Sequence, residues 1–311
     1  MIIANNFNNK KEKMKHIFII NGKKEEAYNK LKEDLSKLNG IEYEIHKTTE
    51  SKESTRYINE YCEKNPNEKV RFYACGGDGT VNEVASAVAF KENASMSVYP
   101  CGTGNDFVKT FGGADKFLDL NKLINAKEQK IDIMKIGQHY SINVCNFGFD
   151  AMVALTANKI SEKGGKKPYV KGVVKAIFTA RYNKIYVEAD GEKMNKKSML
   201  LCTLANGQYV GGQFHCAPKS ICNDGLIDVC LIDKMCLFRF LKILKPYTNG
   251  QHLDNKKYEK FVHYKQCKQV KITSKKDFYI CLDGEMVYGN NFVVEMCPKA
   301  VNFAVPEGTN D

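Results

Sequence analysis

The spacing of apolar positions divides the chain into two parts. From residue 16 to residue 126, short apolar runs alternate with segments whose apolar residues recur at helical spacing. The predicted strands are His16–Ile20, Ile41–Ile45, Val70–Cys75 and Met96–Tyr99. The predicted helices are Glu25–Leu38, Glu53–Cys62, Val81–Ala89, Asn105–Thr110 and Lys116–Ala126. This alternation predicts a parallel sheet flanked by helices, which binds ligands at the carboxyl ends of its strands.

Beyond residue 130 the apolar spacing shifts towards a period of two, which predicts antiparallel strands. These strands are Ile131–Ile136, Tyr140–Asn146, Lys184–Ala189, Met199–Ala205, Leu226–Ile232, Gln269–Ser274 and Phe278–Leu282. Two predicted helices, Tyr169–Arg181 and Met235–Lys245, interrupt them. The last predicted strands, Phe292–Met296 and Val301–Val305, are open to packing back on the first part of the chain.

The length of 311 residues favours two domains. We expect a polar lead-in at 1–15, an α/β domain at 16–130 and a β-rich, sandwich-like domain at 131–297. Residues 298–311 are open to completing the first domain. With 43% hydrophobic and 27% charged residues, the composition is that of a globular protein.

Composition narrows the cellular setting. The 12 cysteines form no C-x-x-C pair and no zinc-site spacing, which favours reduced structural thiols in a cytoplasmic protein. We see no secretory signal and no apolar run of the ~18 residues that would span a bilayer. The net charge of +11 fits a polyanionic partner. Because no nucleic-acid-binding motif accompanies it, peripheral contact with an anionic membrane surface is favoured over nucleic acid.

A glycine-rich segment, Gly76-Gly77-Asp78-Gly79-Thr80, joins the third predicted strand to a helix. Glycines let the backbone approach a ligand closely, and Thr80 and Glu83 have the spacing of a capping box. The free N–H groups of a helix N-terminus suit phosphate. Asp78 would repel phosphate unless a cation or a sugar hydroxyl lies between them.

The segment Pro100-Cys101-Gly102-Thr103-Gly104-Asn105-Asp106-Phe107 repeats this pattern after the next strand, with Thr103 and Asp106 at capping-box spacing. Two such turns at neighbouring strand ends favour a phosphate-binding site over a pair of simple tight turns. Neither is a Walker loop, and no G-x-G-x-x-G pattern occurs.

Three further motifs follow these loops: GFDA at 148–151, NDG at 223–225 and LDGE at 282–285. In this order, the chain from His16 to Pro306 resembles the diacylglycerol kinase catalytic-domain family, whose bacterial soluble members are similar to sphingosine and ceramide kinases. The resemblance implies an α/β nucleotide-binding domain, a β-sandwich-like second domain, and a site for ATP and lipid in the cleft between them. The implied activity is Mg²⁺-dependent transfer of the γ-phosphoryl group of ATP to a lipid hydroxyl, foremost that of diacylglycerol.

The resemblance also implies roles for individual residues. Contacts to the nucleotide and its metal would come from Asn21, Gly76, Gly77, Asp78, Gly79, Thr80, Glu83, Gly102, Thr103, Asn105 and Asp106. Glu285 would be the general base, with Asp78 and Asp224 as further catalytic carboxylates. Asp224, Asp132 and Asn223 would hold Mg²⁺. Phosphoryl transfer requires positioning, charge neutralisation and a base, so these residue types suit it.

Two positions depart from the family's pattern. An Asn-Pro-x-x-Gly turn is replaced by Asn21-Gly22-Lys23-Lys24, so we expect a shortened nucleotide loop with lower ATP affinity. Asn223 stands where similar bacterial proteins often carry a second aspartate. An amide oxygen contributes no charge, so we expect a weaker hold on a structural Mg²⁺.

Several alternatives stay open. The Lys163–Lys167 loop with Tyr169–Phe178, and the segment Leu237–Leu244, each suit either an anionic bilayer or the core. His215 is the histidine expected nearest the cleft, or else it is structural. The acceptor is open to being a sphingoid base, monoacylglycerol or phosphatidylglycerol. A kinase of NAD, a non-catalytic lipid or nucleotide sensor, and a homodimer are the remaining options.

Overall fold

The computed structural model describes residues 14–50, 52–102, 104–162 and 182–309. The strands are β1 (Lys15–Asn21), β2 (Tyr43–Thr48), β3 (Val70–Gly76), β4 (Ala94–Pro100), β5 (Lys127–Ile136), β6 (His139–Ser141), β7 (Val144–Gly148), β8 (Ile185–Ala189), β9 (Glu192–Lys193), β10 (Met199–Ala205), β11 (Ile227–Asp233), β12 (Val262–Cys267), β13 (Gln269–Leu282) and β14 (Glu285–Val305). The α-helices are α1 (Glu25–Ser36), α2 (Glu53–Lys64), α3 (Asp78–Val88), α4 (Leu120–Ile124), α5 (Phe149–Glu162) and α6 (Leu237–Thr248). Two 3₁₀ turns cover Phe107–Phe111 and Ala114–Phe117.

These strands form one hydrogen-bonded sheet whose two halves differ in direction. The order along its main path is β12-β11-β10-β7-β13-β14-β4-β3-β1-β2, with β5, β6, β8 and β9 attached beside it. Strands β1 to β4 are parallel to their neighbours, whereas the strands of the second half pair antiparallel. The predicted fold class, an α/β unit followed by a β-rich part, is confirmed. No helix among the residues that the structure describes is long and apolar enough to cross a bilayer.

The parallel strands β1, β3 and β4 are buried on both faces, which explains why most of their residues are apolar. Residues 17–20 of β1 are completely buried, and the ring of Phe18 stacks on that of Tyr73 from β3 at 4.2 Å. Helices α1 and α2 cover this sheet with Leu31, Leu35 and Ile58. The strand ends that carry both glycine-rich loops therefore rest on a rigid core.

The final strand links the two parts of the molecule. Its first segment pairs with β13, while Phe303 near its end pairs parallel with Met96 of β4. Phe303 is fully buried and its ring contacts those of Phe107 and Phe111. The chain thus returns to the α/β core after building the β-rich part.

Some predicted boundaries were wrong. The segment Tyr140–Asn146 is not one strand, because the pairing breaks at Ile142–Asn143: the Ile142 N–H donates to Asn82 of α3 and its carbonyl accepts from Asn206. Conversely, the separate strands predicted at Gln269–Ser274 and Phe278–Leu282 are one strand, β13, and those predicted at Phe292–Met296 and Val301–Val305 both lie in β14. The pairing register shifts once within each of these long strands.

Other elements have no counterpart in the predictions. Helix α5 and strands β9 and β12 were missed. Strand β12 is buried only at its two ends, so its sequence shows no clear alternation of apolar and polar residues. The helix predicted at Asn105–Thr110 is a 3₁₀ turn, and Lys116–Ala126 is reduced to parts of a 3₁₀ turn and α4. The helix predicted at Tyr169–Arg181 and the Lys163–Lys167 loop lie outside the described residues.

Candidate active site

The two glycine-rich loops are in direct contact at the ends of β3 and β4. The carbonyl oxygen of Gly76 accepts hydrogen bonds from the N–H groups of Cys101 at 3.0 Å and Gly102 at 3.1 Å. A β carbon on Gly102 would lie 2.4 Å from the Cα of Gly77. Only glycine allows this approach, so the glycines are what permit the two loops to pack as one structure.

Asp78 joins the loops through its side chain. Its Oδ1 accepts the backbone N–H groups of Asp106 at 2.6 Å and Phe107 at 3.3 Å. A β carbon on Gly104 would lie 2.6 Å from Asp78 Oδ2, so Gly104 leaves room for the carboxylate. Burial, followed by repulsion from the Asp106 carboxylate, raises the pKa of Asp78. A cation beside these two carboxylates would relieve that repulsion.

Asp106 connects the second loop to the β-rich part. Its buried carboxylate accepts Lys109 Nζ at 2.6 Å and the N–H of Gly212 at 3.1 Å. Lys109 Nζ also donates to the carbonyl of Gly212 at 2.6 Å. This bridge holds the segment around Gly212 against the loops.

Asn105 has a backbone conformation that few residues adopt, with φ of +47°. Its Nδ2 donates to the carbonyl of Gly102 at 2.8 Å, whereas its buried Oδ1 has no hydrogen-bond partner. An unpaired acceptor beside the loops is open to a ligand's donor or to a cation. Thr103, the neighbouring predicted contact, lies outside the described residues.

The predicted capping box at Thr80 and Glu83 is wrong. Helix α3 begins at Asp78 with Gly77 as its N-cap and no side-chain capping hydrogen bond. The Thr80 hydroxyl instead approaches Gly76, where a β carbon would lie 2.3 Å from it. Burial raises the pKa of Glu83, and the N–H groups of Thr55 and Ser54 at the start of α2 partly oppose that rise. The glycine-rich turn, not a capping side chain, therefore starts the helix, and the first N–H groups have no partner within the helix.

Glu285 lies across the cleft from α3, at the start of β14. Its side chain is 46% exposed, with Lys52 Nζ at 3.9 Å and His139 Nδ1 at 3.5 Å from Oε1. A turn at Asp283 and Gly284, with φ of +46° and +96°, places it there. Glu285 is thus accessible to a ligand, as a general base must be.

Asp283 is a site residue to which the sequence assigned no role. It accepts hydrogen bonds from Ser141 Oγ at 2.9 Å and from the N–H groups of Asn143 at 3.1 Å and Val144 at 2.8 Å. Burial raises its pKa to about 6, and Asp78 adds to the rise. The sequence could have indicated this residue, because Asp283 belongs to the same LDGE motif as Glu285.

Two cavities meet at Asp283 and Gly284. A polar cleft of about 900 Å³ includes Asn21, Gly79, Thr80, Glu83 and Glu285 in its lining. Asn21 begins the shortened first loop there, and its Oδ1 accepts the N–H of Lys23 at 3.0 Å. An apolar cavity of about 450 Å³ lies on the other side, with Asp78 and Asp106 at its polar end. The loops and the turn at 283–284 therefore separate a polar compartment from an apolar one.

Side chains from the β-rich part line the apolar cavity. They include Phe149, Leu200, Leu201, Phe214, Phe240, Ile243, Leu244 and Tyr247. Asp150 of the GFDA motif also lines it, and its Oδ2 accepts the Tyr247 hydroxyl at 3.2 Å. Burial raises the pKa of Asp150 to about 6. Asp150 is the second residue missed by the sequence analysis, although its motif had been noted.

His215 does not line either cavity. Its Nε2 lies 3.1 Å from Gln208 Oε1, and its ring stacks on that of Tyr209 at 4.3 Å. These contacts support the structural alternative for this histidine.

Asp224 and Asp132 lie outside both cavities. Asp132 is completely buried and accepts the N–H groups of Lys299 at 2.6 Å and Gly225 at 2.7 Å. Asp224 accepts the N–H of Leu226 at 3.0 Å and Gln266 Nε2 at 3.3 Å, and its neighbour Asn223 is exposed. The structure does not bring Asp224 to Glu285, so it gives Asp224 no direct place in the polar cleft.

A third carboxylate, Asp228, completes this outer group. Burial raises the pKa of Asp132 and Asp228, and the nearby Asp224 raises both further. The buried Oδ2 of Asp228 has no hydrogen-bond partner. Even so, in the part of the chain that the structure describes, no three Asp, Glu, His or Cys side chains are arranged to hold a metal ion. Mg²⁺ at either place would therefore need ligands beyond these carboxylates, such as phosphate or backbone oxygens.

Comparison with known proteins covers both parts of the chain. The family model of the diacylglycerol kinase catalytic domain matches residues 15–136, and that of the YegS C-terminal NAD kinase beta sandwich-like domain matches residues 143–305. A diacylglycerol kinase from Bacillus subtilis (strain 168) is 29% identical over 253 residues, which cover 79% of this chain and 80% of that protein. A protein named "Probable lipid kinase YegS-like" from Enterobacter sp. (strain 638) is 27% identical and covers 93% of this chain and 95% of its own length.

The fold has a solved counterpart. The crystal structure of a diacylglycerol kinase from Bacillus anthracis str. Sterne superposes with a TM-score of 0.71 at 19% identity, covering 95% of this chain and 98% of that one. Both family models, in this order, account for nearly all of the described residues. The chain therefore belongs to the family of diacylglycerol kinases and YegS-like lipid kinases.

Proposed function

We propose that this chain is an ATP- and Mg²⁺-dependent lipid kinase that phosphorylates a lipid hydroxyl, foremost that of diacylglycerol, to give phosphatidic acid. The observation that carries the proposal is the meeting of a polar cleft and an apolar cavity at Asp283 and Gly284. A nucleotide would bind in the polar cleft, and an acyl chain would bind in the apolar cavity. Their junction is where a phosphoryl group and a lipid hydroxyl would meet.

The glycine-rich loops supply the proposed phosphate site. Gly77 and Gly102 present backbone without side chains, and the N-terminus of α3 favours anions. Mg²⁺ would be held by Asp78, with Asp106 and Asn105 nearby, and by phosphate oxygens, where it would neutralise the charge of the transferred group. The predicted contact from Thr103 stays a prediction.

Glu285 is the proposed general base. The lipid hydroxyl oxygen forms a bond to the γ-phosphorus, the bond from that phosphorus to the β–γ bridging oxygen breaks, and the hydroxyl proton passes to the Glu285 carboxylate. Lys52 and His139 lie close enough to orient this carboxylate. ADP and the phosphorylated lipid are the products.

The apolar cavity is the proposed acyl-chain site. Each methylene group transferred there from water contributes about 0.8 kcal/mol, so even part of one chain would contribute substantially to binding. A soluble acceptor such as NAD would gain nothing from these apolar walls, which disfavours the NAD kinase alternative.

Asp224, Asp132 and Asn223 enter the proposal as a second cation site away from the reacting groups. The burial and the mutual repulsion of these carboxylates support a cation there. Its role would be to hold β11 and the end of β14 together. We also place the enzyme at the cytoplasmic face of a membrane, which its free thiols and its net charge of +11 support.

The test is transfer of label from γ-labelled ATP to lipids in mixed micelles with Mg²⁺. The panel contains diacylglycerol, monoacylglycerol, phosphatidylglycerol and a sphingoid base, with NAD tested beside them. We expect label on diacylglycerol. Glu285→Gln should lower kcat about 10²- to 10⁴-fold, while Glu295→Gln on the same strand should leave it unchanged.

Three outcomes would overturn parts of the proposal. Full activity in Glu285→Gln would reject the base, and label on NAD alone would reject the lipid acceptor. ATP binding without transfer to any acceptor would establish the sensor alternative. Circular dichroism of each variant shows whether the fold is intact.

A further inference from the structure

Helix α6 has two apolar faces with different surroundings. Its inner face, with Phe240, Ile243 and Tyr247, is buried and lines the apolar cavity. Its opposite face carries Phe238 and Leu241, whose side chains are 66% and 56% exposed, together with the exposed Leu237. Residues 238, 241 and 245 lie on one face because they are three and four positions apart. A helix that serves only to cover the cavity has no need of this outer apolar face.

Positive charges surround the outer face of α6. Residues 234–249 contain Lys234, Arg239, Lys242 and Lys245 and no acidic residue. Lys242 Nζ lies 4.2 Å from the centre of the Phe238 ring, so apolar and cationic groups share one surface. These long side chains can place their stems on apolar surface and their charges beside anions.

The adjoining loop at 255–261 extends the same charge. Its Tyr258 hydroxyl donates to the carbonyl of Lys242 at 3.3 Å, which holds the loop against α6. Lys256, Lys257 and Lys260 are exposed there, against the single acidic residue Glu259. Asp233, which precedes α6, already contacts a histidine: its Oδ2 lies 3.0 Å from His263 Nε2. The surface is therefore strongly cationic with an apolar centre.

This combination selects one kind of partner. Exposed Phe and Leu side chains ringed by Lys and Arg match the interface of a bilayer that contains anionic lipids. A second copy of the chain fits poorly, since a two-fold contact through this face would bring Lys242 and Arg239 of both copies together.

We propose that the outer face of α6, with the loop at 255–261, is the surface on which the protein docks to an anionic membrane. The purpose of this docking rests on the proposed function, because docking there places the wall of the acyl-chain cavity against the membrane that supplies the lipid substrate. The docking itself requires no catalysis. It can therefore be tested without ATP.

The experiment measures sedimentation with vesicles of phosphatidylcholine alone and of phosphatidylcholine mixed with phosphatidylglycerol. We expect binding to the mixed vesicles that weakens with salt. Lys242→Gln/Lys245→Gln should weaken binding about 25-fold, since each basic residue contributes a factor of about five. Phe238→Ser/Leu241→Ser should weaken it about tenfold or more through lost apolar insertion.

Matched controls exist elsewhere on the chain. Phe90→Ser/Leu118→Ser removes one exposed Phe and one exposed Leu, and Lys32→Gln/Lys116→Gln makes the same change of charge. Both controls should bind as the wild type does. Equal weakening in controls and α6 variants would overturn the assignment, as would a wild-type protein that binds no anionic vesicle.

A reporter on the helix gives an independent readout. Cys236 is exposed at the start of α6, and the backbone N–H of Arg239 lowers the pKa of its thiol, which favours labelling. A polarity-sensitive dye there should shift to the blue with mixed vesicles, and Cys236→Ser should abolish that signal. An unchanged spectrum with bound protein would place the contact elsewhere.

Two further measurements separate this inference from its alternatives. Light scattering reports the oligomeric state, and a dimer lost in Phe238→Ser/Leu241→Ser would show that a second copy covers the face. Activity on a short-chain, monomerically dispersed diacylglycerol should be unchanged in the α6 variants. Vesicle binding without phosphoryl transfer would reject the proposed function and leave the docking surface standing.

Discussion

Asp283 is the residue at which the polar cleft and the apolar cavity meet. Its three hydrogen bonds to 141–144 hold the turn between β13 and β14 against the start of β7. The same turn presents Glu285 to the cleft. Asp283 of the LDGE motif thus maintains the geometry of the turn, and Glu285 of the same motif lies half-exposed in the cleft.

At the residue scale, the buried Asp150 should make the stability of the protein depend on pH. Its pKa is raised from 3.8 to about 6 in the native state, so the native protein holds this proton more tightly than the unfolded chain does. Stability should therefore fall as pH rises from 3.8 to about 6. Relative to Asp150→Asn, the wild-type free energy of unfolding should decrease by about 2–3 kcal/mol across that window and stay level above it.

Urea denaturation of both proteins across this pH range measures the difference, in which the titration of other groups cancels. Asp277→Asn, at an exposed position on β13, is the control. A difference that is constant or rises with pH would contradict the buried state of Asp150.

Sequence reasoning at residue scale was strongest where backbone geometry demands one residue type. Gly102 was expected to bring backbone close to a ligand, which stays a prediction, and the structure shows that it brings two loops together. It was weakest where a side chain has several partners within reach. Glu83 had the spacing for a capping box, yet it faces the start of α2, a contact that no local spacing encodes.

At the scale of elements, Asn82 shows how a helix alters a strand. Its Nδ2 donates to the carbonyl of Tyr140 at 3.0 Å and its Oδ1 accepts the N–H of Ile142 at 3.1 Å. These bonds satisfy the backbone where β6 ends, before β7 begins. The predicted single strand over Tyr140–Asn146 failed because a side chain 58 residues away supplies its hydrogen bonds.

Replacing Asn82 by alanine should therefore destabilise the protein by about 2–4 kcal/mol, since one buried and one partly buried backbone group would lose their partners. Ser86→Ala on the same helix is the matched control, because its hydroxyl bonds only to its own helix at Asn82. We expect it to change the free energy of unfolding by less than about 0.5 kcal/mol. Equal effects of the two variants, measured by denaturation, would reject this role for Asn82.

The elements that the sequence predicted well are those that are buried along most of their length. Strands β1, β3 and β4 are buried on both faces, so their apolar runs need no alternation to be recognised. Strand β12 is buried only at its ends and was missed. The apolar pattern in the sequence is therefore clearest where a strand is fully buried and weak where it is only partly buried.

At the scale of the whole molecule, β14 joins the β-rich part to the α/β core. Phe303 near its end is fully buried among Phe107, Phe111 and Phe117. Phe303→Ala should cost about 3–5 kcal/mol of unfolding free energy through the cavity it leaves. Because Phe107 follows Asp106 directly, ATP affinity should fall as well.

Tyr288→Ala on the same strand is the control, since that side chain is 59% exposed. It should change stability by no more than about 0.5 kcal/mol. Thermal denaturation and ATP titration measure both effects. A Phe303→Ala protein as stable as Tyr288→Ala would show that the chain end does not complete the first core.

The sequence by itself determined the α/β class, the positions of both glycine-rich loops and the family, because buried strands, obligatory glycines and ordered motifs are local signals. Tertiary structure alone decided the return of β14 to the first core, the contact between Asp78 and Asp106, and the meeting of two unlike cavities at Asp283. It also separated Asp224 from the cleft in which its motif had suggested a role. These outcomes depend on contacts between residues distant in sequence, which local patterns do not encode.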